Sequence, residues 1–395
     1  MRGPHPSAVV RSGVALALFG LLATGYARAD PSSLTWSPQT LSPAPAESAG
    51  GDAMQQRALA ACGPGELGLQ TLARSIAARS LAGRGVPEVA IMDWQERASG
   101  EPHPWPRVWA RTGHALVSDE TTALLETWLR GSRFAALRRC GVAESLAADG
   151  TRVLVVVAVD ALADLAPVPR TVRVGEWITV DARLHVPARD PKILVLGPSG
   201  VPRTLLTSVS GADVRARFAP ERSGMFTVQV MGDVEGGPRP LLDATVFAGV
   251  EPPASPQEEG APGEEFDAAG GSEESRLASM VNAARVACGR APVERTAVLD
   301  AVAHQHAVRM STAHELAHDV GDGDPLERLT SAGVIGVEVG ENVGRARTLV
   351  TAHRQIWNSP SHRANLLSER FRRAGFAVVR DQNGEAWVVE EFAGR

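Results

Sequence analysis

A single lysine, Lys192, stands among the 40 basic residues of this 395-residue chain, and no block of Lys and Arg occurs in it. A surface that tracks phosphates needs such a block, so nucleic acid is not an expected partner. Cysteine is scarce as well: Cys62, Cys140 and Cys288 allow one bridge at most, which excludes a fold held together by a disulfide framework. Cys62 and Cys140 share one N-terminal segment and could pair in an oxidising compartment; two buried, inert thiols are the alternative. Cys288 has no partner in its own segment and reads as structural. Also missing are a Gly-x-Ser-x-Gly elbow, a phosphate-binding loop and a paired-cysteine metal motif.

Apolar residues make up 44% and charged residues 22%, enough for ordinary cores and inconsistent with disorder throughout or with a coiled coil. The length allows roughly two or three domains at about 150 residues each. Arg2 and Arg11 precede the apolar run Val14 to Ala23, and Ala27-Arg28-Ala29 is a small-x-small cleavage signature. The run is too short for a bilayer, which takes about 20 residues. Residues 1–29 are therefore expected to be a signal peptide, with a membrane anchor as the alternative, and an exported chain is expected to begin at Asp30. Its loss takes the net charge from −5 to −8.

Composition then divides the chain. Residues 30–49 are rich in Pro, Ser, Ala and Gly and read as a flexible lead-in. Residues 251–274, with Pro252-Pro253, Glu258-Glu259 and Glu264-Glu265, read as an acidic linker. Between 167 and 250 lie short β-rich runs: Val172–Val174, Trp177–Leu184, Lys192–Leu196, Val214–Phe218, Phe226–Val230 and Ala244–Phe247. Their alternation and the turns between them predict an antiparallel β-sandwich, similar to immunoglobulin-like domains of bacterial surface proteins.

Six of the ten histidines fall between residues 304 and 362. Leu299, Val302, Ala303, Ala307 and Met310 recur at helical spacing and predict a helix ending near Ser311-Thr312. Ala303, His306 and Met310 are followed by His318, Gly323, Pro325, Arg328 and Gly333. Then come Gly340-Glu341-Asn342, the segment Trp357-Asn358-Ser359-Pro360-Ser361-His362-Arg363 with Asn365-Leu366-Leu367, and the closing runs Gly375–Val378 and Trp387–Phe392. In this order and spacing they resemble the CAP superfamily, the SCP-like extracellular domain, over about residues 273–395. The resemblance implies an α/β/α sandwich whose cleft gathers His318, Glu341, His362 and Asn342. Two imidazoles and a carboxylate, His318, His362 and Glu341, suit a divalent cation such as Zn2+, which would be lost as the imidazoles protonate below about pH 6.5. Hydrogen bonding of loops around the cleft is the bland alternative. Eukaryotic relatives carry a second glutamate three residues after the motif tryptophan; here that residue is Pro360.

A second motif overlaps the first. His314-Glu315-Leu316-Ala317-His318 is H-E-x-x-H, which in zinc peptidases places two histidines on one helix face with a catalytic glutamate. It requires a helix through residue 318, and Asp319 to Asp324 with two glycines argue against one. His304 and His306 read as solvated or capping, and His353 as lying on a polar helix face.

The N-terminal block repeats part of this pattern. Leu69–Arg79 resembles Leu299–Arg309, Trp128 lies 59 residues after Leu69 as Trp357 lies 58 after Leu299, and Gly141 to Gly150 matches Gly375 to Gly384. No Gly-Glu-Asn precedes Trp128 and Leu129–Arg133 after it holds no histidine, so residues 50–166 read as a degenerate CAP-like domain without the site; an unrelated small α/β domain is the alternative. The expectation is thus an α/β protein with a CAP-like sandwich at each end (50–166 and 275–395) and an immunoglobulin-like sandwich between them (167–250). Its expected role is an exported binding module for a divalent cation or small polar ligand, or for an envelope protein. The alternatives are a secreted metallopeptidase, a metal-dependent hydrolase using His314, Glu315 and His318, and a purely structural envelope protein.

Overall fold

The computed structural model describes residues 36–38 and 53–394, apart from residues 88, 115, 117, 133, 135, 257–259 and 336–337. The expected signal peptide and most of the lead-in lie outside the described residues. No helix among the described residues is long and apolar enough to cross a membrane.

The N-terminal block runs α1 (Ala53–Cys62), α2 (Leu67–Leu81), α3 (Val89–Ser99), β1 (Arg107–Gly113), α4 (Ser118–Gly131), β2 (Leu137–Leu146) and β3 (Arg152–Ala161). Its antiparallel sheet has the order β1-β3-β2. The continuous apolar run of β3 is explained by helices on both faces. Val153, Val155, Val157 and Val159 pack with Leu69, Leu72 and Ile76 of α2, while Leu154, Val156 and Ala158 pack with α1 and α4. Cys62 and Cys140 form a disulfide between α1 and β2. Cys288 is free and half-buried.

The middle block begins at β4 (Ala163–Leu165), a few residues before the expected boundary, because β4 pairs with β6 (Ile178–Leu184). Then follow β5 (Thr171–Val172), β7 (Arg189–Leu196), β8 (Arg203–Thr204), β9 (Thr207–Ser210), β10 (Asp213–Phe218), β11 (Gly224–Val234) and β12 (Gly237–Ala248). Two sheets, β4-β6-β10-β9 and β5-β12-β11-β7-β8, enclose one core of Val180, Val195, Val214, Phe226, Val228 and Val246. The outer face of the second sheet is covered too: Thr227, Gln229, Met231, Thr245 and Phe247 point away from that core and are all buried. Trp36 of the expected flexible lead-in lies on this face, its ring 5.0 Å from Phe247 and 5.7 Å from Trp94.

The C-terminal block contains a 3-10 turn (Glu264–Ala268), α5 (Glu273–Ala287), β13 (Glu294–Arg295), α6 (Ala297–Ala313), α7 (Pro325–Ser331), β14 (Val339–Ala346), α8 (Leu349–Asn358), α9 (Pro360–Leu367), β15 (Arg373–Arg380) and β16 (Ala386–Ala393). The sheet order is β13-β15-β16-β14, so β14 is an edge. Ala386, Val388 and Phe392 face α5, α8 and α9, whereas Trp387, Val389 and Ala393 face α6 and α7. The second half of the expected linker is part of this block. Ala261 is buried in its core, and Glu264 holds Arg354 at 2.6 Å. His353, expected on a polar face, is fully buried, its Nε2 3.0 Å from the Pro262 carbonyl.

The helix–sheet contact at the two ends is the same. A Cβ on Gly375 of β15 would come 2.1 Å from the carbonyl carbon of Leu299 in α6, and one on Gly141 of β2 would come 2.0 Å from that of Leu69 in α2. The Thr296 amide donates to Ala374 at 3.0 Å, and the Glu66 amide to Cys140 at 2.8 Å. In both blocks the glycine lets a helix lie backbone against backbone on the strand.

Candidate functional site

The site lies at the β14 edge, between the loop that follows α6 and the first turn of α9. Helix α6 stops at Ala313 because His314 turns left-handed (φ 52°). The next ten residues form the loop to α7, which begins at Pro325 behind an Asp324–Glu327 capping box. His314-Glu315-Leu316-Ala317-His318 is therefore not helical, and the i, i+4 arrangement that a peptidase helix needs is not formed.

The loop is organised by two residues. Asp319 accepts from the amides of Gly321 and Gly323 at 2.8 and 3.1 Å. Arg328 of α7 donates to the His318 carbonyl at 2.7 Å and to the Gly323 carbonyl, and its other nitrogen reaches Glu341 and, at 3.4 Å, Glu391. This fixes the His318 backbone, while its Nδ1 donates to Glu341 Oε1 at 2.7 Å. In its neutral form, a histidine that donates through Nδ1 offers the Nε2 lone pair to whatever enters the cleft.

Glu341 and Glu391 face each other across the β14–β16 rung, both buried on the α6 side. Burial alone would raise Glu341, but the His318 hydrogen bond, then the His318 and Arg328 charges, hold it at about 2. Burial and the neighbouring Glu341 charge push Glu391 well above the usual carboxylate range. Two adjacent carboxyls do not both ionise, so the rung carries one negative charge, held on Glu341. On the other face Asn342 donates to the His362 carbonyl at 3.1 Å and to Glu390 Oε2 at 2.9 Å. Burial raises Glu390 to about 7. His362, in the first turn of α9, is pulled to about 3 by burial and the nearby His318 charge. Its imidazole is therefore neutral at and below about pH 6.5, where it was expected to protonate.

The structure thus brings His318, Glu341, His362 and Asn342 to one edge, with unequal roles. Both Glu341 oxygens are engaged, one by His318 and the other by Arg328, so the exposed donor set is two imidazoles with the carboxylate behind one of them. By type, two imidazoles suit a borderline-soft divalent cation, but His318, Glu341 and His362 do not bring one ligand atom each within 4.8 Å of one another, so the expected three-ligand set is not assembled. Sequence reasoning took His306 and Arg328 only as motif positions, with His306 read as solvated or capping, and gave Asp322 and the two β16 glutamates no role. His306 is fully buried, its Nδ1 2.9 Å from Asp322 and its Nε2 3.1 Å from the Ala317 carbonyl. Its spacing with Ala303 and Met310 placed it on the buried face of α6, a signal that the polar neighbours His304 and Gln305 obscured.

A second buried cluster belongs to the N-terminal block. The donor atoms of Glu66, Glu101 and His103 lie within 4.8 Å of one another, the only group of three such side chains so placed among the described residues. The His103 nitrogens meet Glu101 on one side and the Ala163 carbonyl, at 3.0 Å, on the other. Burial would lower this ring, but the Glu101 charge and hydrogen bond raise it. A ring with an acceptor at each nitrogen is filled by two protons and has no lone pair for a metal. Arg139 completes the charge balance, 2.7 Å from Glu66 and 2.5 Å from Asp164.

Residues 278–392 match the family model of the cysteine-rich secretory protein family, CAP, and the C-terminal block is a CAP domain. Among solved structures, the chain is similar to an outer surface protein from Borrelia burgdorferi, with 18% identity over 31% of this chain and 92% of that one, at a TM-score of 0.30. It is also similar to an extracellular protein containing an SCP domain from Bacillus anthracis (15%, 58% and 88%, TM-score 0.29). A third is a cysteine-rich secretory protein from Staphylococcus aureus (14%, 59% and 85%, TM-score 0.27). No curated protein sequence matches.

Proposed function

We propose that the chain is an exported binding protein whose CAP domain takes a divalent cation, Zn2+ by donor chemistry, or a small polar ligand at His318 and His362. The observation that carries this reading is the Glu341–His318 pair. A buried, ionised carboxylate 2.7 Å from Nδ1 fixes the ring and makes Nε2 a better donor, the arrangement typical of imidazole metal ligands. Glu341 then acts behind His318. The leader pattern and the Cys62–Cys140 bridge support an oxidising compartment.

The N-terminal block is read as a second copy of the same fold without the site. Val108 occupies the rung position that Glu341 has against Glu391, and Val156 and Val157 take the places of Glu390 and Glu391. Apolar side chains there replace the buried polar cluster. The two-sheet block is read as an immunoglobulin-like module between the copies.

Titration of Zn2+ into the chain without residues 1–29 tests the site by calorimetry. His318→Ala and His362→Ala are expected to abolish binding and His314→Ala to leave it intact. Glu341→Gln is expected to weaken it roughly 10- to 100-fold, as loss of an outer partner does. Binding that survives His362→Ala would overturn the site.

A further inference from the structure

Helix α9, which carries His362, has Ser359 at its N-cap, yet the Ser359 side chain accepts no amide hydrogen bond there. The acceptor comes from another block: Gln229 of β11 takes the Ser361 amide on its side-chain oxygen at 3.0 Å. Gln229 is 2% exposed. Two residues on, Arg363 is buried against the Trp357 ring, 3.9 Å from its centre, and donates to the Gly200 carbonyl of the β7–β8 turn at 3.3 Å. Val201 of that turn packs against the C-terminal core. The other histidine of the cleft is met by the same block. Gly237, at the tip of the β11–β12 hairpin, lies so close to His318 that a Cβ on it would come 2.9 Å from the His318 Cβ and 3.7 Å from its Cγ. Its φ of 103° belongs to glycine, so the tip presents bare backbone to the imidazole.

We propose that the cleft is a two-domain site: Gln229 is the positioning residue for His362, and the β11–β12 hairpin is the wall that closes over His318. The inference rests on the cleft being the binding site. An uncapped first turn of α9 frays, because its amides are left for water. His362 lies in that turn, so its ring direction depends on a residue 133 positions earlier in the chain. The hairpin supplies no side-chain donor at Gly237, so its part is to exclude solvent and bulky ligands and not to coordinate.

The test uses the chain without residues 1–29 and the variant Gln229→Met, which keeps the volume and removes the acceptor. Diethyl pyrocarbonate labelling, read residue by residue by mass spectrometry, is expected to rise several-fold at His362, with exposed His304 and His314 unchanged as internal references. Shortening the hairpin by replacing Val234–Pro238 with Asn-Gly is expected to raise labelling at His318. Titration with Co2+ is expected to show weaker binding in Gln229→Met, by roughly 10-fold or more, read from the growth of the visible bands of the bound ion. Unchanged labelling of His362 in Gln229→Met overturns the positioning role whether or not metal binds. Unchanged labelling of His318 in the shortened hairpin overturns the wall. A parent chain that binds neither Co2+ nor Zn2+, with labelling that shifts as expected, leaves the two-domain cleft standing and removes the metal reading.

Discussion

Glu390 and Glu341 sit on neighbouring strands and respond to pH in opposite directions. Glu341 is held at about 2, below its unfolded value of 4.5. Its contribution is complete above about pH 4.5 and is lost only as pH falls toward 2. Glu390 is raised to about 7 by burial, so it folds as the neutral acid. Its contribution is complete below about pH 4.5 and is lost as pH rises through 7, at a cost of about 3 kcal/mol. Between pH 5 and 8 only Glu390 of these two titrates. Glu390→Gln keeps an acceptor for Asn342 and removes the charge. Urea unfolding at pH 5 and pH 8 is expected to show the parent losing about 3 kcal/mol more than the variant; parallel losses would assign the titration elsewhere. At this scale His318, Glu341, His362 and Asn342 were legible, because each sits in a short motif of fixed spacing. The partners that hold them in place were not. Arg328 and Glu391 find Glu341 only through the sheet, and no local pattern marks a carboxyl that must stay neutral.

Two glycines decide how a helix meets a sheet. Gly375→Ala would drive a methyl group to 2.1 Å from the Leu299 carbonyl carbon, and Gly141→Ala would do the same at 2.0 Å from Leu69. Backbone stands on both sides, so no rotamer relieves the overlap. The helix must lift from a core that includes Ala303 and Ala377 in one case and Leu72 and Val155 in the other. Each substitution is expected to cost more than about 3 kcal/mol, at or beyond the upper end of overpacking in cores. Thermal unfolding followed by circular dichroism checks this, with Gly384→Ala as a comparison: there a Cβ would meet nothing within 4 Å, although φ is 77°. A loss no larger than that of Gly384→Ala would refute the close approach. These glycines were visible in the sequence as matched spacings, Gly141 to Gly150 and Gly375 to Gly384. Helix α6 was legible from its apolar period and ended within two residues of the expected place. Strands β4, β8 and β9 were not: they are two to four residues long, and pairing rather than pattern defines them.

The middle block resists reading in isolation, because its second sheet has no solvent face. Strand β11 carries Thr227, Gln229 and Met231 on the side away from the core, polar enough by sequence to look solvated, yet 3%, 2% and 6% exposed. The N-terminal block, Trp36 and α9 cover that side. Arg170 pins the junction, donating to the carbonyls of Ser37, Arg97 and Thr245 at distances of 2.6 to 3.0 Å. A buried arginine satisfied by three carbonyls from three segments is costly to strand, since each bond would have to be replaced by water. Residues 160–250 made alone would expose Phe247, Met231 and the β11–β12 surface together, a contiguous patch of the kind that drives association. The fragment is therefore expected to form oligomers in size-exclusion chromatography with light scattering, where the chain without residues 1–29 runs as a discrete species. Met231→Lys with Phe247→Lys, both outside the shared core, is expected to return the fragment to a monomer. A monomeric unmodified fragment would mean that this face tolerates water, and the sheet would then be an independent module against which the two ends merely rest.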